Sequence, residues 1–527
     1  MNISSFQVNN KLIHFLAQRN YSSQNKYSVF LGENGSGKSE LIRELISSIL
    51  RMKVKYISSN FEGKHGYSDP LDNYLSNRYK EERNERSTTT ELNLSLENNN
   101  NINLKFSRVN EERKIKNHKG EYTTVTEDEF LYKLHLSTNS HPDDIYWLQE
   151  QIKSASVIAI SESNHIKFPI IQDESILNYF YPGWLQESTK ESYFGYRAIK
   201  EVPFKQKSIL LSILKSSDPD NRAKLRLIFE LLKLDYRVNI DTTLADELLN
   251  DESRLTEHLS KNNRKFSSVG VRSKIEKEKI IDIKRSLAWY KTNSEVVVSN
   301  VFSSRSTKLS RSFNLDLTNE TDKVNHLYHL IENNLISVSK LCFIKNKSVI
   351  PFNEMSSGQV CLLSSFSSIS ANIKNNSLIF IDEPELSLHP SWSSKYIELL
   401  QTIFSKFNDC HFIIATHSPH IVSRLPDDDA CVIIMKDDGY TKCIESEKFN
   451  FKSIDFQLAE IFDFPGDKNE YLVRMLMILI SKISNNDKLS NDDYNTISRL
   501  EGYLSKLNSD DPVNHLIKQV STLVKHG

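Results

Sequence analysis

Short, unbroken apolar runs alternate along this chain with longer stretches in which apolar residues recur at helical spacing. Tyr27–Leu31, Val54–Ser58, Val157–Ser161, Leu378–Ile381 and His411–Ala415 are runs of the first kind. Their length and their polar or turn-forming borders predict strands buried on both faces, as in a parallel sheet. Helical spacing predicts helices over Glu40–Leu50, Ser208–Leu214, Lys224–Leu234, Val271–Lys291, Val360–Ile369 and Ser391–Phe404. Together these make an α/β chain.

Two segments break the alternation. Between about 60 and 150 the sequence turns polar, with a mixed charge run at Lys80–Arg86 and a low-complexity tract at Asn98–Asn101. Within it, Asn103–Val109 and Glu121–Val125 predict a hairpin joined through the basic stretch Lys114–Gly120. That hairpin reads either as a solvated decoration or as a contact for nucleic acid or a partner protein. From Pro203 to about Asn334 the pattern is helical, and Leu335–Ile344 and Val349–Phe352 return to strands. The tail, Phe451–Gly527, predicts a small helical segment with apolar faces at Leu458, Ile461, Phe462, Leu476, Leu479 and Leu516. The expected divisions are therefore 1–202 with its polar insertion, a helical insertion over 203–334, a return over 335–445, and a helical segment over 446–527.

Length and charge sharpen this only locally. The 527 residues allow two or three domains, or one large domain with insertions. A net charge of -1 gives no global attraction for nucleic acid, so any such contact must be a patch. One segment stands out: Lys261–Arg311 carries 13 Lys or Arg against 4 Asp or Glu. It is a solvated helical face or a site for nucleic acid or an acidic partner. The 5 cysteines lack a CxxC pair and point to reduced thiols. No apolar run reaches membrane-spanning length, and MNISSFQVNN lacks a signal-peptide pattern, so a cytoplasmic location is expected.

The chemistry sits at strand ends. Tyr27–Leu31 runs into Gly32-Glu33-Asn34-Gly35-Ser36-Gly37-Lys38-Ser39, which matches the phosphate-binding loop G-x-x-x-x-G-K-[ST] at every fixed position. Its glycines let backbone N–H groups face a phosphate, Lys38 reaches the β- and γ-phosphates, and the Ser39 hydroxyl is placed to ligate Mg²⁺. Leu378–Ile381 ends in Asp382-Glu383, a carboxylate pair where open α/β sheets hold their ligands. One acid can hold Mg²⁺ through its waters while its neighbour orients or deprotonates an attacking water. Val157–Ser161 ends in Ser161, with Ser163 and Asn164 beyond, a position from which a polar side chain can sense the γ-phosphate or the metal. Ser356-Ser357-Gly358-Gln359 precedes an apolar helix, which makes a good anion site or an ordinary N-cap. His411–Ala415 ends in Thr416-His417, and His417 can reach a γ-phosphate from the same sheet edge as Asp382.

GENGSGKS, MSSGQ, IDEP and ATHS in this order resemble the ATP-binding cassette ATPases of the SMC, MutS and OLD type. DEPELSLHP followed by IIATHSP resembles the OLD-like branch and, within it, the Septu defence ATPases of the PtuA kind with their retron-associated relatives. SESNHIKFP and YFGYR also look like that branch. The resemblance implies an ABC-ATPase head, with a mixed sheet flanked by helices and an inserted helical lid, to which the residues of 446–527 add a helical C-terminal tail. It implies ATP and Mg²⁺ as cofactors and a homo-oligomer in which two heads meet head to tail. Lys38 and Ser39 of one chain would then face Ser357 and Gly358 of the other, with Ser356 and Gln359 beside them. Glu383 would be the general base, His417 the γ-phosphate contact and Asp382 a metal residue. Ser161 or Ser163 stands where many relatives have Gln.

The chain departs from OLD nucleases after the His motif. Cys431–Tyr440 gives one strand and an acidic turn, without the Glu-Gly pair and later Asp-x-Asp of a Toprim domain, and no His-Asn-His constellation is present. This chain is therefore not expected to cut nucleic acid itself, and the resemblance to PtuA-like systems implies a separate HNH nuclease, PtuB-like, with a reverse transcriptase and its msDNA in retron-associated versions. A DNA-repair ATPase acting mechanically and a transporter ATPase are the competing readings. The absence of a long coiled-coil arm counts against the first, and the SLHP ending against the second.

Overall fold

The computed structural model describes residues 2–8, 11–15, 25–32, 35–46, 49, 89–95, 101–116, 122–133, 156–161, 202–218, 221–244, 274–292, 309–426, 429–435, 441–448, 452–485 and 487–526. Val54–Ser58, Lys80–Arg86, Phe168–Pro169 and Tyr193–Arg197 lie outside these residues, as does 117–120 of the basic stretch.

Fifteen strands are present among the described residues. They are β1 (Asn2–Val8), β2 (Lys11–His14), β3 (Lys26–Leu31), β4 (Thr89–Ser95), β5 (Asn101–Lys116), β6 (Tyr122–Lys133), β7 (Val157–Ser161) and β8 (Asp235–Leu244). There follow β9 (Leu309–Asp316), β10 (Ile336–Lys345), β11 (Ser348–Pro351), β12 (Leu378–Asp382), β13 (His411–Thr416), β14 (Ala430–Met435) and β15 (Thr441–Glu445). The central sheet runs β15-β14-β3-β13-β12-β7, parallel except for the edge strand β15. Every residue of β3, β12 and β13 is buried, as expected for strands covered on both faces.

Helices Ser357–Asn372 and Tyr396–Ile403 cover this sheet through a run of aromatic contacts. Phe366 meets Tyr396 at 5.4 Å and Phe404 at 6.3 Å, Phe404 meets Phe412 at 6.3 Å, and Phe412 stacks on Tyr27 at 5.1 Å. The helix expected over Ser391–Phe404 is two pieces, Pro390–Ser393 and Tyr396–Ile403. Ser393 and Ser394 donate their hydroxyls back to the carbonyls of His389 and Ser391, which competes with helix continuation.

The polar insertion is more than a decorating hairpin. β5 and β6 form an antiparallel hairpin longer than expected: Lys114–Lys116 of the expected turn lie in β5, and Lys105–Val109 face Glu129–Lys133 instead of Glu121–Val125. β4, β5 and β6 extend the N-terminal β1–β2 hairpin into a five-stranded sheet, β2-β1-β4-β5-β6. The segment 203–334, expected to be helical, contains helices Val202–Ser216, Arg222–Leu231, Lys274–Thr292 and Thr321–Glu332. It also contains β8 and β9, which join β10 and β11 in an antiparallel sheet. The signal was there in DYRVNIDTTL, where every second residue of the inner half is buried. The tail forms helices Ile454–Glu460, Glu470–Ser484, Asn491–Gly502 and Pro512–His526. They share a core of their own that includes Leu476 and Leu479, while Ile461 packs on the main core. No described helix is long and apolar enough to cross a membrane.

A buried polar relay fastens the N-terminal hairpin to the central sheet. The Ile3 amide donates to His411 Nδ1 at 3.3 Å, so the ring proton sits on Nε2, 2.9 Å from Ser28 Oγ, and that hydroxyl donates to the Phe15 carbonyl at 3.1 Å. Burial, with the nearby Lys26 ammonium, pushes the His411 pKa down to about 3. The unfolded chain therefore binds the proton near 6.5 and the folded chain only near 3. Stability from this group is complete above the upper value and falls as pH drops between the two. From pH 7.5 to 5.5 the loss is about 1.4 kcal/mol. Urea unfolding of wild type and His411→Gln at both pH values checks this, because the variant should lose that part of the pH slope. Equal slopes would mean that His411 does not titrate on unfolding.

Candidate nucleotide site

Four strand ends meet at one edge of the central sheet. Asp382 pairs in register with Ala415 on one side and Ser161 on the other, while Ala415 pairs with Phe30 and Thr416 with Leu31. Because β13 lies between β3 and β12, the residue after its end, His417, is interposed between the phosphate loop and the acidic pair.

The loop itself is shaped by its glycines. Gly35 and Gly37 take φ of 92° and 87°, a region that side chains rarely adopt. Gly32 is constrained from outside, since a Cβ there would stand 2.6 Å from the Met435 carbonyl at the end of β14. The helix over 38–46 begins at Lys38. Glu33 and Asn34 lie outside the described residues.

Lys38 is 4% exposed, and its ammonium donates to the Gly32 carbonyl at 2.7 Å and to Ser36 Oγ at 3.3 Å. It also lies 3.2 Å from His417 Nδ1. An ammonium only donates, so Nδ1 accepts and the imidazole carries its proton on Nε2. That nitrogen stands 3.4 Å from Glu383 Oε1. Burial lowers the His417 pKa and the Lys38 charge adds to this, against the opposing pull of Glu383 and Glu385, so the ring is neutral at pH 7.

Glu383 has a φ of 52°, unusual for a residue with a side chain, and its N–H donates to the Ala415 carbonyl at 2.8 Å. A left-handed residue of this kind costs on the order of 1–2 kcal/mol, and such strain collects at functional sites. Ser39 Oγ donates to Asp382 Oδ1 at 3.1 Å, and both side chains are buried. Two adjoining oxygens beside a phosphate loop suit Mg²⁺, which takes few protein ligands and keeps several waters. Ser161 is placed opposite Asp382 by register, whereas Ser163 and Asn164 lie outside the described residues.

Ser356–Gln359 do not join this cluster. Ser356 caps helix Ser357–Asn372 in a reciprocal box, with Gln359 N–H donating to Ser356 Oγ at 3.3 Å and Ser356 N–H donating to Gln359 Oε1 at 3.2 Å. Gly358 lies against the turn after β12, where a Cβ would be 3.1 Å from the Ser387 carbonyl. Ser356 and Ser357 are exposed, and the hydrogen bonds of Ser356 and Gln359 stay within their own helix start.

Sequence reasoning passed over Glu385 and Thr416. Glu385 Oε1 accepts from Thr416 Oγ1 at 2.7 Å and from the His417 amide at 2.6 Å. The available signal was a second acid two positions after Glu383.

The arrangement can bind polyphosphate at the loop, hold a divalent cation between Ser39 and Asp382, and present a carboxylate beside a neutral imidazole. Among solved structures, the Smc head domain of Pyrococcus furiosus bound to the C-terminal domain of ScpA is 11% identical, with 85% of this chain and 97% of that chain covered and a TM-score of 0.30. The SMC head domain of Thermotoga maritima is 10% identical, with coverages of 84% and 99% and a TM-score of 0.27. The Smc head with coiled coil and joint from Pyrococcus yayanosii is 10% identical, with coverages of 85% and 98% and a TM-score of 0.28. No curated protein matches the chain. Residues 28–423, which contain all four motifs, match the family described as "AAA domain, putative AbiEii toxin, Type IV TA system", and the chain belongs to that family of ATPases.

Proposed function

We propose that this chain is an ABC-type ATPase of a Septu-like antiviral defence system, which binds ATP and Mg²⁺ and restrains a separate HNH nuclease of the PtuB kind. The observation that carries the ATPase part is the convergence of Lys38, Ser39, Asp382, Glu383 and His417 at one sheet edge. The defence part rests on the DEPELSLHP and IIATHSP resemblance, and the family description, which names a toxin of a toxin–antitoxin system, supports it. In the retron-associated form the assembly would include a reverse transcriptase and its msDNA.

Each residue has a task in this reading. Lys38 exchanges its Gly32 and Ser36 contacts for the β- and γ-phosphates. Ser39 and Asp382 hold Mg²⁺, which neutralises phosphate charge when bound. Glu383 accepts a proton from the attacking water, and His417, neutral with its proton on Nε2, contacts the γ-phosphate side. Helix Lys274–Thr292 presents Ile281, Lys284, Arg285, Ala288 and Lys291 outward, a mainly basic face for nucleic acid or an acidic partner. Its neighbours 261–273 and 293–308 lie outside the described residues.

Ser357 and Gly358 are exposed or half-exposed at a helix start, where they can complete the site of a second chain in a head-to-tail dimer. The test mixes two inactive proteins, Lys38→Ala and Gly358→Glu. Each mixed dimer keeps one intact composite site, so random exchange should restore up to about a quarter of wild-type ATPase activity. A dead mixture, with wild-type controls shown to exchange subunits, would sink the head-to-tail assignment.

A further inference from the structure

The strand end that carries His417 is held by a carboxylate with no task in the reading above. Glu385 Oε1 accepts two donors from β13 and the residue after it, the Thr416 hydroxyl at 2.7 Å and the His417 backbone N–H at 2.6 Å. Thr416 Oγ1 in turn accepts from the Ser418 N–H at 2.9 Å, which extends the grip across three successive residues. The other oxygen, Oε2, is buried with no hydrogen-bond partner among the described residues.

A buried acceptor without a donor is a net cost, and an ion makes the cost larger. What the carboxylate supplies is two short, charge-assisted bonds that fix where β13 stops and where the next residue turns. The imidazole of that residue reaches Lys38 on one side and Glu383 on the other, at 3.2 and 3.4 Å. A shift of its backbone would move both contacts together.

Glu385 is itself held. Leu386 N–H donates to the Glu383 carbonyl at 3.3 Å and Leu388 N–H to the Glu385 carbonyl at 2.9 Å, and the Ser387 carbonyl of this turn lies against Gly358. The carboxylate therefore ties the end of β13 to the turn on which the Ser356–Gln359 helix start rests.

We propose that Glu385 is a positioning residue: by clamping Thr416 and the His417 amide it sets the place of the His417 ring between Lys38 and Glu383, and it links that ring to the turn under Gly358. The kinetic consequence rests on the ATPase reading given above, whereas the clamp itself does not.

Three variants separate the possibilities. Glu385→Ala removes the acceptor, Glu385→Gln keeps a carbonyl oxygen for both donors without the charge, and Thr416→Val removes one donor. Glu385→Ala should lower kcat for ATP by about 10–100-fold, the scale of a misplaced reacting group, with the ATP Kd little changed. Glu385→Gln should recover most of that loss, and Thr416→Val should show a smaller loss in kcat alone. In nucleotide-free, 15N-histidine-labelled full-length protein, the His417 amide proton, identified by its disappearance in His417→Ala, should move upfield in Glu385→Ala and stay near its wild-type position in Glu385→Gln. An unmoved amide, an unimpaired Glu385→Ala, or a Glu385→Gln as slow as Glu385→Ala would each overturn the positioning role. If the wild-type protein binds no ATP, the ATPase reading fails by itself, and the amide shift still decides the clamp. Should Glu385→Ala fail to fold, Glu385→Gln and Thr416→Val carry the same two readouts.

Discussion

Turnover by a Glu383→Gln protein is expected to fall by about 10²–10⁴-fold, the contribution of a positioned general base, while ATP stays bound. The amide keeps the size of the side chain and the oxygen that faces His417 Nε2, now 3.4 Å away, but it cannot take a proton from water. Glutamine also keeps the backbone constraint at φ 52°, so the strained turn out of β12 and the N–H bond to Ala415 persist. The expected product is an ATP-loaded, slowly hydrolysing protein, visible as retained radiolabelled ATP after gel filtration with little released phosphate. Wild-type phosphate release by this variant would move the base to another residue.

Lys38→Ala should weaken ATP binding by at least about 10²-fold, since it removes the charged member of a buried, hydrogen-bonded set. The ammonium is the one mobile positive charge in the described loop, and its contacts to Gly32, Ser36 and His417 show that it can be satisfied without substrate. Removing it has a second effect on its neighbour. The Lys38 charge contributes to the lowered pKa of His417, so the ring's pKa should rise in the variant, and more of it should be charged near neutral pH. Calorimetric titration with ATP checks the first effect, and near-normal affinity would show that phosphate is held elsewhere.

The strands of this site were legible because they are covered on both faces. β3, β7, β12 and β13 are mainly apolar runs, and each ends in or runs directly into residues that carry chemistry, so the phosphate loop, the acidic pair and His417 could be named from sequence. Their lateral order could not. Nothing in the residues says that β13 is inserted between β3 and β12, which is what brings His417 within reach of both Lys38 and Glu383. Strands with one wet face were harder to see. β8 alternates buried and half-buried residues inside a segment whose flanks are strongly helical, and the helical signal dominated. Glu385 stayed hidden for a different reason. Its role depends on two hydrogen bonds to residues 31 and 32 positions away, and an acid after Asp-Glu-Pro looks like an ordinary turn residue.

The placement of β3 has a consequence for how the protein is made. Its two neighbours in the sheet are β13 and β14, which follow it by nearly the whole length of the ATPase region. On a ribosome adding about 5–20 residues per second, an apolar strand with two open edges would wait on the order of 20–80 s for its partners. During that interval it is a template for wrong pairing, and the nascent chain needs shelter from its neighbours. The phosphate loop is completed just as late: Gly32 acquires its final surroundings only when Met435 arrives, after the acidic pair and His417 have been made.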